Sequence, residues 1–133
     1  MKNITEQMLE FIDASPTCFH VVDNLKKELA DRGYVELKES EEWELKPGKF
    51  FDTRNDSSVI SFRIPDKKFK GFYLIASHSD SPSFKIKENP EMEEVSAYVK
   101  LNTEKYGGML CAPWFDRPLS VAGRLIVRDG KGG

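Results

Sequence analysis

The sequence predicts an α/β chain in which N-terminal helices lead into a mixed β-sheet. Three observations carry that prediction. Apolar residues recur at helical spacing as far as Gly33, two-residue alternation takes over after Tyr34, and an uninterrupted apolar run, Phe72-Tyr73-Leu74-Ile75-Ala76, follows.

Ile4, Met8, Phe11 and Ile12 fall on one helical stripe that is expected to be buried, and Asn3 with Glu6 has the offset of a capping pair. Ser15-Pro16 reads as the N-cap and first residue of a second helix, because proline has no N–H to lose at that position. Cys18, Val22, Leu25 and Leu29 give this helix one apolar face, and Gly33 suits the left-handed position that closes it. Beyond Tyr34, Phe50-Phe51 following Pro47-Gly48 predicts one strand, and Ile60, Phe62 and Ile64 alternating with polar residues predict another. The run from Phe72 to Ala76 suits a strand buried on both faces. Phe84 with Ile86, then Val95 to Leu101, then Arg124 to Arg128 complete the expected strands. The last of these runs into Asp129-Gly130, a hairpin-turn signal with only three residues after it. That ending is expected either of a frayed tail or of a chain that stops before its fold does.

A length of 133 residues with 39% apolar composition allows one folded domain. The balance of 20 basic against 22 acidic residues gives a net charge of −2 without a basic cluster, which argues against nucleic acid as a partner. Cys18 and Cys111 lie far apart and outside any metal-ligand spacing, so both are expected to be reduced thiols. Residues 1–7 lack the apolar segment of a secretory signal and no later run reaches the length of a membrane span, so the expected compartment is the cytoplasm.

The strongest local candidate for chemistry is Ser77-His78-Ser79-Asp80-Ser81-Pro82, placed after the expected buried strand. Ligands collect beyond the carboxyl ends of strands in open α/β sheets, and on an extended backbone His78 and Asp80 project to the same side. The imidazole then offers a metal ligand and the carboxylate an orienting group. With two histidines and nine aspartates, this spacing arises by chance about once in seven chains of such composition, so it is weak alone. A complete zinc site usually takes about three protein ligands, and the other histidine, His20, reads as structural within the second helix. Gly107-Gly108 lacks the Gly-Lys-Ser/Thr of a phosphate loop. Cys18 and His20 diverge on a helix, and the glutamates from Glu39 to Glu44 read as a solvated loop.

Phe11 to Val22, Thr53-Arg54-Asn55, Ile75 to Pro82, Tyr106-Gly107-Gly108 and Trp114 to Arg124, taken together, resemble the M18 aminopeptidases. Phe11-Ile12-Asp13-Ala14-Ser15-Pro16-Thr17-Cys18-Phe19-His20-Val21-Val22 is similar to that family's opening motif. Ile75 to Pro82 is similar to its His-Thr-Asp-Ser-Pro segment, with Ser79 in place of the usual threonine. Thr53-Arg54-Asn55, Tyr106-Gly107-Gly108 and the stretch from Trp114 to Arg124 resemble further blocks, all in the family's order. The resemblance implies a zinc-dependent aminopeptidase that releases N-terminal amino acids from peptides, with two zinc ions per complete site. It implies His78 as a zinc ligand and Asp80 as the supporting catalytic aspartate.

The implied fold is the mixed sheet of a zinc peptidase domain over residues 1–90, then the start of an inserted β-rich domain over 91–133. That inserted domain serves homo-oligomer formation in the family, and structural or subunit-contact roles are implied for Tyr106 to Arg124. The bridging aspartate, the glutamate base and the later ligands of the family have no counterpart before Gly133, so this chain alone is expected to be inactive. The competing expectation is a non-catalytic module that associates through unpaired strands.

Overall fold

The structure, a computed structural model, describes residues 3–92 and 98–128. Helix α1 spans Ile4–Asp13 and α2 spans Cys18–Asp31. Strands β1 (Val35–Glu36), β2 (Gly48–Arg54) and β3 (Ser58–Ile64) follow. Then come β4 (Ser83–Met92), β5 (Lys100–Tyr106) and a single helical turn, α3 (Ala112–Phe115). Contacts divide the chain into one unit that runs to Asp80 and resumes at Ala122, and a second, Ser81–Val121.

Local chemistry explains both helix starts. At α1 the Asn3 side chain accepts from the Glu6 N–H at 2.9 Å while the Glu6 carboxylate accepts from the Asn3 N–H at 3.0 Å, the reciprocal capping box expected from the spacing. The start of α2 differs from the expectation. Thr17, not Ser15, is the N-cap, and the helix opens at Cys18 rather than Pro16. The reason is competition for the hydroxyls: Ser15 Oγ accepts from Asn24 Nδ2 at 3.1 Å, and the same amide donates to the Ala14 carbonyl at 2.9 Å. Asn24 thereby fixes the turn between the helices, and the cap falls two residues beyond the expected one. The α2 C-terminus ends as expected, with Gly33 at φ 76° donating to the Ala30 carbonyl and Tyr34 donating to that of Leu29. Lys49 Nζ donates to the Arg32 carbonyl at 2.8 Å, placing a cation at the negative end of the helix.

The first unit holds a mixed three-stranded sheet in the order β1-β2-β3, with β1 parallel and β3 antiparallel to β2. The β2–β3 register pairs Phe50 with Phe62, whose rings lie 5.7 Å apart. Helix α2 packs on β1 and β3, and the ion pair from Lys26 to Glu36 at 2.7 Å joins α2 to β1. Hydrogen bonding to Glu36 raises the Lys26 ammonium above the usual lysine range. Val22 on α2 and Phe51 on β2 are the buried apolar side chains among the described residues, each worth roughly 1.5–3 kcal/mol of burial.

The loop before β2 is fastened by charge. Arg54 donates from Nε to both Glu39 carboxylate oxygens, at 3.0 and 3.3 Å, and from Nη2 to Oε1. The guanidinium holds the Glu39 carboxyl below the ordinary carboxylate range. A carboxyl lowered in the folded state adds stability above its unfolded pKa and loses it as pH falls through the lowered folded value. An NMR titration should therefore place the Glu39 midpoint below that of an unpaired glutamate, and Arg54→Gln should return it toward the ordinary value. An unshifted Glu39 in the native chain would contradict the pairing.

In the second unit β4 and β5 pair antiparallel, Ser83 opposite Tyr106 through Ile86 opposite Thr103, then Glu91 opposite Leu101. The irregularity between Ile86 and Glu91 contains Asn89 at φ 51° and Pro90, so the residue without an N–H falls where the ladder is interrupted. Phe84 packs against Trp114 edge-on at 5.6 Å and against Phe115 at 5.9 Å, which seats α3 on this hairpin.

Three expectations of burial or pairing fail. The α1 stripe stays exposed at Ile4, Met8 and Ile12. The run from Phe72 to Ala76 is not a strand, and its side chains stand in solvent, with Tyr73 at 104% exposure and Ile75 at 101%. Arg124 to Arg128 forms no strand either, with Leu125, Ile126 and Val127 exposed. The cause is common to all three: hydrophobic pattern specifies what a segment would bury, but a ladder or a packed face needs neighbours, and none of the described residues supplies them. Of the expected strand from Val95 to Leu101, residues 95–97 and likewise Asp129-Gly130 lie outside the described residues, and β5 takes up the pattern at Lys100.

Candidate metal centre

The segment from Ser77 to Asp80 follows the exposed apolar run, bends at Ser79 and has no ladder partners, so the site is not carried on a strand end as the pattern suggested. Its two chemical side chains nevertheless meet. His78 Nδ1 lies 3.0 Å from Asp80 Oδ1, with the imidazole 92% exposed and the carboxylate 39% exposed. A carboxylate acceptor at Nδ1 favours the tautomer with its proton on that nitrogen, which turns the lone pair of Nε2 outward. This is the arrangement of a metal-ligating histidine steadied by an outer carboxylate. Between them, Ser79 Oγ donates to the Ser57 carbonyl at 2.8 Å, tying the segment to the turn that joins β2 to β3.

A zinc site takes about three protein donors besides a water. Among the described residues, no group of three His, Cys, Asp or Glu side chains comes together. His78 and Asp80 therefore fit one ligand and its orienting partner, and not a whole site. His20 is occupied elsewhere, its Nδ1 2.8 Å from Thr17 Oγ1, in keeping with a structural role. Cys18 and Cys111 are free thiols.

A hollow of about 330 Å³ in the first unit is lined by Glu39, Asp52, Arg54, Ser58, Val59 and Ile60, and includes neither His78 nor Asp80. The concave surface and the candidate chemistry do not coincide, and the histidine–carboxylate geometry is the better guide to function. Two contributors escaped the sequence reading. The Ser79 hydroxyl bond spans 22 residues, and Arg124 Nη1 donates to the Asn55 carbonyl at 2.8 Å across 69 residues. No spacing rule reports either, because both arise from distant segments meeting.

Comparison with known proteins places this geometry in context. Residues 11–133 match the family model described as aminopeptidase I zinc metalloprotease (M18). The "Probable M18 family aminopeptidase 2" of Clostridium acetobutylicum is 51% identical over 134 residues, covering 96% of this chain and 31% of that protein. The solved structure of Chaetomium thermophilum mApe1 superposes with a TM-score of 0.90 at 41% identity, over 97% of this chain and 30% of that one. The S. cerevesiae mApe1 dodecamer gives a TM-score of 0.80 at 28% identity, over 86% of this chain and 28% of that one. The chain thus spans about a third of the length of the relatives it matches. Among the described residues no helix is long and apolar enough to cross a membrane.

Proposed function

Because this chain belongs to the aminopeptidase I zinc metalloprotease (M18) family, we propose that it forms the first part of a zinc-dependent aminopeptidase releasing N-terminal amino acids from peptides. His78 serves as a zinc ligand and Asp80 as the aspartate that orients it. The observation that carries this assignment is the 3.0 Å pairing of His78 Nδ1 with Asp80 Oδ1, which leaves Nε2 directed away from the carboxylate. The chemistry that bound zinc supplies is Lewis-acid polarisation of the scissile carbonyl. Asp80 keeps the imidazole in one tautomer and one orientation.

The remaining donors, and the second zinc of a two-ion site, belong to the part of the relatives' length that this chain does not span. The 133 residues alone are accordingly proposed to bind zinc weakly and to turn over no peptide. We assign residues 1–90 to the peptidase domain and 91–133 to the start of a β-rich insertion. Of the β4–β5 hairpin, β5 and the last two residues of β4 fall within that insertion, while Ser83 to Pro90 of β4 fall on the peptidase side of the assigned boundary. A homo-oligomer is proposed by analogy with the dodecameric S. cerevesiae relative, and the compartment proposed is the cytoplasm.

The test compares this chain with one extended to the length of its relatives, using aminoacyl anilides with added zinc and with chelator. Turnover that needs both the extension and zinc is expected. Robust turnover by the 133 residues alone, or turnover indifferent to chelator, would sink the proposal. The exposed apolar run from Phe72 to Ile75, which has a strand's pattern but forms no ladder within the described residues, favours a second reading, a module that associates by pairing such segments with another chain. A defined, chelator-insensitive oligomer without turnover in either chain would favour it.

A further inference from the structure

The turn between β2 and β3 is gripped from two directions. On one side Ser79, flanked by His78 and Asp80, donates its hydroxyl to the Ser57 carbonyl at 2.8 Å. On the other, Arg124 Nη1 donates to the Asn55 carbonyl at 2.8 Å and lies 3.4 Å from Asp56 Oδ2. The Arg124 guanidinium also stacks over the Phe19 ring of α2, 4.2 Å from its centroid.

The turn itself is demanding. Asn55 and Asp56 both have positive φ, 53° and 52°, and the Ser57 N–H donates to the Arg54 carbonyl at 3.1 Å. Asn and Asp tolerate this left-handed backbone better than other residues with a Cβ, so the turn presents the Asn55 and Ser57 carbonyls in one fixed arrangement. His78 needs such help, because an imidazole 92% exposed is not held by packing.

We infer that Ser79 and Arg124 are positioning residues for His78 and Asp80, acting through the turn at residues 55–57. Ser79 ties the histidine–carboxylate segment to the turn. Arg124 braces the turn against α2. The inference rests on the assignment of His78 as a zinc ligand. Its consequence at position 79 is that the hydroxyl matters, so that threonine should replace serine where alanine does not. Lysine cannot replace Arg124 in the same way, because an ammonium offers no planar face to the Phe19 ring.

The chain extended to the length of its relatives is titrated with zinc against a competing chelating dye, and backbone order parameters of the 133 residues are recorded by NMR, for the native sequence and for Ser79→Ala, Ser79→Thr, Arg124→Ala and His78→Ala. Ser79→Ala is expected to weaken zinc binding about threefold to tenfold, the equilibrium effect of one hydrogen bond. It should also lower the order parameters of the His78 and Asp80 amides from about 0.85 to below about 0.6. Ser79→Thr should restore both, and Arg124→Ala should move both in the same direction as Ser79→Ala. The Phe51 amide should stay unchanged throughout, which separates positioning from general loss of structure. Native affinity and order parameters in Ser79→Ala, alongside weakened binding in His78→Ala, would overturn the inference. If His78→Ala leaves zinc binding unchanged, the ligand assignment fails instead. The order parameters then decide the tether alone: a fall on Ser79→Ala supports it, and native values overturn it.

Discussion

Replacing His78 by alanine in the complete enzyme is expected to lower zinc-dependent aminopeptidase activity by about a thousandfold or more, because metal stabilisation of developing charge is worth several kcal/mol and each ~1.36 kcal/mol is tenfold in rate. Nothing among the described residues can replace the lost imidazole, since no cluster of histidine, cysteine or carboxylate side chains forms there. The His78 side chain is almost wholly exposed, so its removal creates no cavity and should leave the thermal transition of the chain in place. Steady-state rates with aminoacyl anilides, measured beside a melting curve, provide the check. Full activity in His78→Ala would end the case for this histidine as a ligand.

Asp80→Asn is the second large effect, an expected loss of about tenfold to a hundredfold in zinc affinity or activity. The amide keeps the shape of the carboxylate and removes its charge. If the new side chain turns its carbonyl oxygen toward His78 Nδ1, the tautomer survives but the charge-assisted hydrogen bond that holds the ring is lost; if the amide nitrogen turns inward, the tautomer is wrong. Either outcome weakens the metal, and both leave the fold alone because Asp80 is not buried. Zinc titration of Asp80→Asn beside Asp80→Glu measures it. Native zinc affinity in the Asp80→Asn protein would show that the 3.0 Å contact with His78 is incidental.

Much of the local structure was legible. The Asn3–Glu6 capping box, the Gly33 terminus of α2 and the strands around Phe50 and Phe62 follow from side chains acting on their own neighbours. His78 and Asp80 were legible as a pair from their spacing of two residues, although the structure brings them to 3.0 Å around a bend at Ser79 rather than along a strand. The family was legible in the order of several motifs spread along the chain. The Ser15 cap was misplaced because its hydroxyl is taken by Asn24, nine residues on, a competition that no local rule registers.

Strand β1 and helix α3 were not expected from the sequence, and β5 begins where the expected strand ends. By itself, the sequence determined α1 and most of α2, the Gly33 turn, the segments of β2 and β3 and the start of β4, and the identity of the candidate ligand with its carboxylate. These depend on backbone preferences and hydrogen bonds within a few residues, which persist whatever the rest of the chain does. Only the tertiary structure decided which apolar surfaces find cover. It left Ile4, Phe72 to Ile75 and Leu125 to Val127 exposed, while burying Val22 and Phe51. It also brought Ser79 to Ser57 and Arg124 to Asn55. Burial and long-range hydrogen bonds are properties of two segments at once, and a pattern along one segment records only its half of the contact.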